Sequence, residues 1–152
     1  MSAFVASGKT ADFTLTNDDW FPDIDANIAR ETLRLDGAVT DTRLEAALVN
    51  AMLSVNQDLA GYKAENAGQH HALEDIPDSE INGVSRQVIL YKRAVTCIAG
   101  AELVERYRSY DTSADGERNA EALTPSIDEL RRDAWWAIRD LTGGTRSTVE
   151  LI

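Results

Sequence analysis

The chain has 152 residues, is 43% apolar, and carries a formal net charge of −11. That length holds one sizeable core and is too short for two. No apolar run approaches the roughly 20 residues of a bilayer span, and the opening Met1-Ser-Ala-Phe-Val-Ala-Ser-Gly-Lys9 lacks the long apolar segment of a secretory signal. A protein made and used in cytosol, with no membrane partner, is expected. The single cysteine, Cys97, cannot form an internal disulfide, which fits a reduced compartment.

The charge is unevenly placed. Residues 1–85 carry five basic and fifteen acidic side chains, a balance of −10, whereas residues 86–146 carry ten of each. A nucleic-acid groove needs clustered Lys and Arg, so this pattern argues against one. An acidic surface that repels DNA is compatible with it, and so is acidity that serves solubility alone.

In chain order, residues 1–22 mix Gly, Ser, Thr, Asp and isolated aromatics (Phe4, Phe13, Trp20, Phe21) without period. They read as an extended N-terminal arm. A short helix follows over about 25–35, capped by Asp23 or Asp25 and stopped by Asp36-Gly37. The next helix begins at Thr40 as N-cap, with Val39 and Leu44 as a hydrophobic staple. Leu44, Leu48, Ala51, Val55, Leu59 and Tyr62 share one stripe, which carries this helix to about residue 64. Residues 65–80 have the chemistry of a loop.

A long helix is expected over about 84–110. One row is Val84, Val88, Tyr91, Val95 and Ile98; the other is Leu90, Ala94, Cys97, Ala101 and Val104. Apolar on two sides, it should lie centrally between neighbours. A turn at 111–116 precedes a last helical region over about 117–141, whose stripe is Leu123, Ile127, Leu130, Ala134, Ile138 and Leu141. Pro125 either kinks that helix or opens a new one with Thr124 as its cap. Gly143-Gly144 ends it, and residues 143–152 form a tail. The fold class is therefore all-α: one domain, residues 1–152, with a bundle of three to five helices over 23–142 between two extended ends, an N-terminal arm over 1–22 and a tail over 143–152.

Signals for chemistry are weak. His70-His71 with Glu74 and Asp75 are adjacent loop residues, without the i, i+4 geometry of a helical ligand pair, and read as a solvated loop. Neither histidine has a nucleophile partner, and Cys97 is expected to be buried and inert. There is no glycine-rich phosphate loop and no dinucleotide fingerprint. Catalytic residues, metal ligands and cofactors are all expected to be absent. The acidic pairs Asp18-Asp19 and Glu74-Asp75 fit a solvated surface better than an acid–base pair.

Residues suited to contact are more telling. On the last helix Trp135 lies about 90° from the centre of the apolar stripe and Trp136 nearly opposite it. Arg132, Glu129, Asp133 and Asp140 share the outer face with Trp136. A large aromatic on a charged face is either an interface anchor or the seat of an N-terminal arm bearing Phe4 or Phe13. The segment Glu105-Arg-Tyr-Arg-Ser-Tyr-Asp111 reads as the solvated end of the central helix. The β-prone tail Thr148-Val149-Glu150-Leu151-Ile152 suits addition to a partner's sheet or pocket, or docking on its own bundle.

Several segments then occur in a suggestive order. They are Glu31-Thr-Leu-Arg-Leu-Asp-Gly-Ala-Val-Thr-Asp-Thr-Arg-Leu44, Ile81-Asn-Gly83, Leu90-Tyr-Lys-Arg-Ala-Val95, Glu105-Arg-Tyr-Arg-Ser-Tyr-Asp-Thr112, Arg131-Arg-Asp-Ala-Trp-Trp-Ala-Ile-Arg-Asp140 and Thr148–Ile152. Over roughly residues 21–152 the chain resembles the head completion/stabilisation proteins of Peduovirus-like contractile-tailed phages. The resemblance implies a structural virion protein at the head–tail junction, assembled in the host bacterial cytoplasm. It would join the filled head at the portal vertex in place of terminase and prepare it for the tail.

Similar connector adaptors form a twelvefold ring of helical bundles under the portal. The implied partners are the portal protein, sister copies, a tail-side connector or tail-terminator protein, and packaged DNA that passes without sequence-specific binding. Under that reading Thr148–Ile152 would grip the portal, and Trp135, Trp136 and Arg132 would sit between subunits. Asp18, Asp19, Glu74 and Asp75 would line an acidic lumen. The alternatives are a stopper or tail-terminator ring, which would carry substantial sheet, and a free acidic helical binding or inhibitor protein.

Overall fold

The computed structural model describes residues 11–110 and 127–144, with side chains described as far as Arg106 and again from Ile127. Five α-helices are present among them: α1 (Ala26–Thr32), α2 (Asp41–Asp58), α3 (Ala60–Asn66), α4 (Arg86–Tyr110) and α5 (Ile127–Leu141). Two antiparallel strand pairs accompany the helices. β1 (Thr14–Leu15) pairs with β2 (Ile24–Asp25), and β3 (Glu80–Ile81) pairs with β4 (Val84–Ser85). The protein is predominantly helical, as its periodicity requires.

α4 is the central element, with α2 on one flank and α5 on another. Its Tyr91, Ala94, Val95, Ala99 and Leu103 meet Leu44, Leu48, Ala51 and Val55 of α2 and Ala137 and Leu141 of α5 in one apolar core. Gly100 permits a close approach within this packing. A Cβ there would lie 2.6 Å from a Leu33 methyl, so the missing side chain makes room for the segment that follows α1.

The helix starts follow capping chemistry. The Asp25 carboxylate accepts from the amides of Asn27 and Ile28, and Thr40 Oγ1 accepts from Arg43 N. Helix ends differ from the sequence reading in two places. α1 stops at Thr32, short of residue 35, because Arg34 adopts a left-handed φ of 55°. Leu35 N then donates back to Arg30 O at 3.0 Å, a closing turn usually built on glycine. The helix expected over 40–64 is two, because Leu59 leaves helical geometry with ψ at 6°. Val55 and Leu59 keep hydrogen bonding through the bend, which turns α3 so that Tyr62 Oη donates to Gln87 Oε1 at 2.9 Å.

Two segments expected to be irregular have defined structure. Residues 65–80 contain a 3-10 turn at Leu73–Asp75 and the strand β3. Asn82 and Gly83, with φ of 53° and 75°, make the two-residue hairpin turn between β3 and β4, which is why α4 begins at Arg86 and not at Val84. The second segment is the expected arm. From Phe13 onward it belongs to the folded body: Leu15, Trp20 and Phe21 are core residues, and Phe13 packs against the core from its edge. Phe4, the turn at 111–116, the Pro125 question and the tail Thr148–Ile152 lie outside the described residues.

Candidate functional site

α5 presents an aromatic edge on a firmly held helix. Leu130, Ala134, Ala137 and Leu141 bury its inner face. Arg86 Nη2 and Gln87 Nε2 of α4 donate to the carbonyls of Asp140 and Leu141, at 3.3 and 3.4 Å, which closes the end of the helix. Arg131 reaches Glu105 at 2.8 Å and Arg93 reaches Asp133 at 3.8 Å, both at the surface. Such exposed pairs add little stability, about 0–1 kcal/mol each, and serve here to fix orientation.

On this edge the two tryptophans exchange the places expected from helical angles. Trp135 is 57% exposed, with the Arg139 guanidinium 5.5 Å from its ring centre. Trp136 is only half-buried by comparison, with the Arg132 guanidinium 4.8 Å over its ring. Arg132 also donates to Asp133 Oδ1 at 3.2 Å, so it braces Trp136 against the helix. Helical angles place Cβ atoms, whereas long side chains in a helix lean toward the preceding turn. That lean carries the Trp136 ring back over Arg132. Of the three predicted interface residues, Trp135 and Arg132 are exposed, and Trp135 is the aromatic offered to solvent.

A second feature gathers the predicted lumen residues. Asp18, Asp19, Asp23 and Glu74 line one shallow open groove of about 400 Å³ beside Trp20, Phe21 and Val88. Asp75 follows Glu74 in the 3-10 turn and is exposed, outside the groove lining. Two backbone links bring the segments together: Leu73 N donates to Trp20 O at 2.9 Å, and Trp20 Nε1 donates to His70 O at 3.1 Å.

The acids are not equivalent. Asp18 Oδ1 accepts from the amides of Trp20 and Phe21 at 2.9 and 2.7 Å, and its Oδ2 meets Lys63 Nζ at 3.0 Å. Burial opposes its charge, yet the amides and Lys63 outweigh it and hold the carboxyl below the usual carboxylate range. Asp18 is therefore a turn-forming carboxylate, while Asp19 and Glu74 stand exposed. The Asn17-Asp18-Asp19 run, rich in side chains that bond backbone amides two or three residues on, was the signal available for this turn.

His70 contributes its backbone carbonyl, and no group of three or more potential metal ligands exists among the described residues. Cys97 is half-buried; burial pushes its thiol up, and Arg93 offsets this only in part.

Behind the groove lies a polar network that sequence reasoning missed. Tyr91, fully buried on α4, donates to Asn56 Oδ1 of α2 and accepts from Asn17 Nδ2 at 2.7 Å. Asn56 Nδ2 donates in turn to Asn17 Oδ1 at 2.9 Å, closing the ring. Phe21 stacks on Tyr91 at 5.0 Å between centroids. Burial pushes the Tyr91 phenol up to about 12. The network fixes the groove-bearing segment to both α2 and α4.

The body that carries both features begins at β1, and the profile of the phage head completion protein (GPL) family matches residues 15–152. The chain belongs to that family. It is 39% identical over 139 residues to the head completion/stabilization protein of Escherichia phage P2, covering 91% of this chain and 82% of that one. No solved structure matches it. As a head completion protein the chain is a structural component of the phage virion. No helix among the described residues is long and apolar enough to cross a membrane.

Proposed function

We propose that this head completion protein acts by binding alone, closing the DNA-filled head below the portal as one of several identical copies set side by side in a ring at the head–tail junction. The observation that carries this reading is Trp135: a large aromatic, 57% exposed, on a helix whose other face is locked to α4. Exposed tryptophan on a rigid element is the usual anchor of a protein interface. Head-to-tail packing of copies closes a ring, and each copy then repeats the same contacts.

The acidic groove supports a second part of the reading. Asp19, Asp23 and Glu74 are exposed beside one another, and residues 1–85 balance to −10. A ring that turned this surface inward would repel phosphate, letting DNA pass without adhering. The tail Thr148–Ile152 would grip the portal, weakly per copy and strongly through repetition.

The test is complementation of a phage lacking this gene. Trp135→Glu yields a folded chain and filled heads that lose their DNA; deletion of residues 148–152 gives the same phenotype through loss of portal attachment. Wild-type titres from the Trp135→Glu phage would overturn the reading.

A further inference from the structure

The β3–β4 hairpin turns one apolar face to solvent. Ile81 and Val84 are Cα partners across the two-residue turn, so their side chains share a face, and they are 63% and 39% exposed. Glu80 and Ser85 form the next pair and occupy the opposite face. The base of the hairpin is fixed to the start of α4: Arg86 N donates to Ser79 O at 2.9 Å, and the Arg86 guanidinium meets Asp78 at 3.2 Å.

The same end of α4 holds the end of α5. Gln87 Nε2 donates to Asp78 Oδ2 at 2.9 Å, two residues before β3, and to Leu141 O at 3.4 Å. One nitrogen thus joins the root of the hairpin to the last turn of α5. Gly143, with φ of 78°, and Gly144, whose N donates to Arg139 O, then end the helix, and eight residues follow, 145–152. Extended, eight residues reach about 26–29 Å, more than the hairpin requires. Val149 and Leu151 alternate with Glu150, so in an extended chain the two aliphatics share one side. The other stretches outside the described residues enter elsewhere. Residues 1–10 join the body at α1, where Asn27 Nδ2 donates to Ala11 O, and residues 111–126 link the opposite ends of α4 and α5, roughly 37 Å along α4.

We infer that in the free subunit residues 148–152 lie on this hairpin of their own chain, with Val149 and Leu151 against Ile81 and Val84. Glu150 then turns away from the hairpin and Glu80 lies on its other face, so the two carboxylates do not meet. The inference concerns the subunit before assembly and rests on neither the ring nor the portal contact. Two pairs of aliphatics make a weak seat. It covers the tail until a larger site, such as the portal proposed above, takes it over.

The experiment is a thermal-unfolding cycle on the full chain: Ile81→Thr, deletion of residues 148–152, and the two combined, with Val84→Thr repeating the hairpin change. Threonine keeps the β-branched shape that suits a strand and removes apolar contact. Each hairpin change and the deletion lower Tm by about 2–4 °C, and the combination lowers it no further than the deletion alone. Methyl nuclear Overhauser contacts join Ile81 to Leu151 in the wild-type chain. Hairpin changes that act equally with and without the tail, a deletion without effect, or absence of those contacts overturns the inference and leaves the portal reading to its own test. A Tm loss that depends on protein concentration would put the tail on a second copy, and would also overturn it.

Discussion

Replacing Tyr91 by Phe tests whether the Asn17–Asn56–Tyr91 ring holds the groove segment in place. The substitution keeps the aromatic ring that stacks on Phe21 and removes one oxygen. Asn17 Nδ2 retains Pro22 O as an acceptor at 2.8 Å, but Asn56 Oδ1 loses the hydroxyl that donates to it. A buried acceptor left without a donor costs about 1–3 kcal/mol, more than the ~1 kcal/mol of an ordinary hydrogen bond. For a domain of this size roughly 2 kcal/mol lowers Tm by about 4–8 °C.

The assay is thermal and urea unfolding followed by far-ultraviolet circular dichroism. Asn17→Ala and the double variant complete a cycle. The three residues act as one unit, so the double variant should lose less than the sum of the single losses. A Tyr91→Phe protein within about 0.5 kcal/mol of wild type, with additive losses, would refute the argument, since that is the range of a neutral surface change.

Three further outcomes follow from neighbouring features. Stability should fall above about pH 10: the unfolded tyrosine ionises near 10 and folded Tyr91 near 12, so between them the unfolded state binds fewer protons and the free energy of unfolding drops by up to ~1.4 kcal/mol per pH unit, as urea midpoints across that range would show. Asp18→Asn should destabilise at neutral pH, and the difference from wild type should shrink as pH falls through the lowered pKa of Asp18, because protonation removes the charge that Lys63 and the two amides stabilise. Arg34→Gly should raise stability by about 0.5–1 kcal/mol, because Arg34 is exposed and its φ of 55° suits glycine; a lower Tm would show that the arginine side chain matters there.

What the sequence made legible were the regular, local features. The stripe of α2, the two apolar rows of α4 and the stripe of α5 place those helices because periodicity is a property of neighbouring residues. The Thr40 and Asp25 caps belong to the same class. The segment 13–25 escaped because its order comes from partners far along the chain: Trp20 finds His70, and Asn17 finds Asn56 and Tyr91. Isolated aromatics without period look like an arm until the groups that satisfy them are known. The break at Leu59 was likewise hidden, since Leu59 stays in the apolar stripe while its ψ leaves the helix.

For the tryptophans of α5, spacing placed Trp136 outermost, whereas Trp135 is the more exposed ring. The groove acids were found as two sequence pairs, but only three of the four line it, and Asp18 turned out to organise a turn.

The dependence of residues 13–25 on Asn56, His70 and Tyr91 has a consequence for synthesis on the ribosome. Trp20 and Phe21 emerge early, yet their final neighbours are translated dozens of residues later. Until α4 has cleared the exit tunnel, the nascent chain must carry these two rings in water or against provisional neighbours. The opening segment therefore reaches its final packing only once Tyr91 is available, and any fragment that ends before Tyr91 would leave it without that partner.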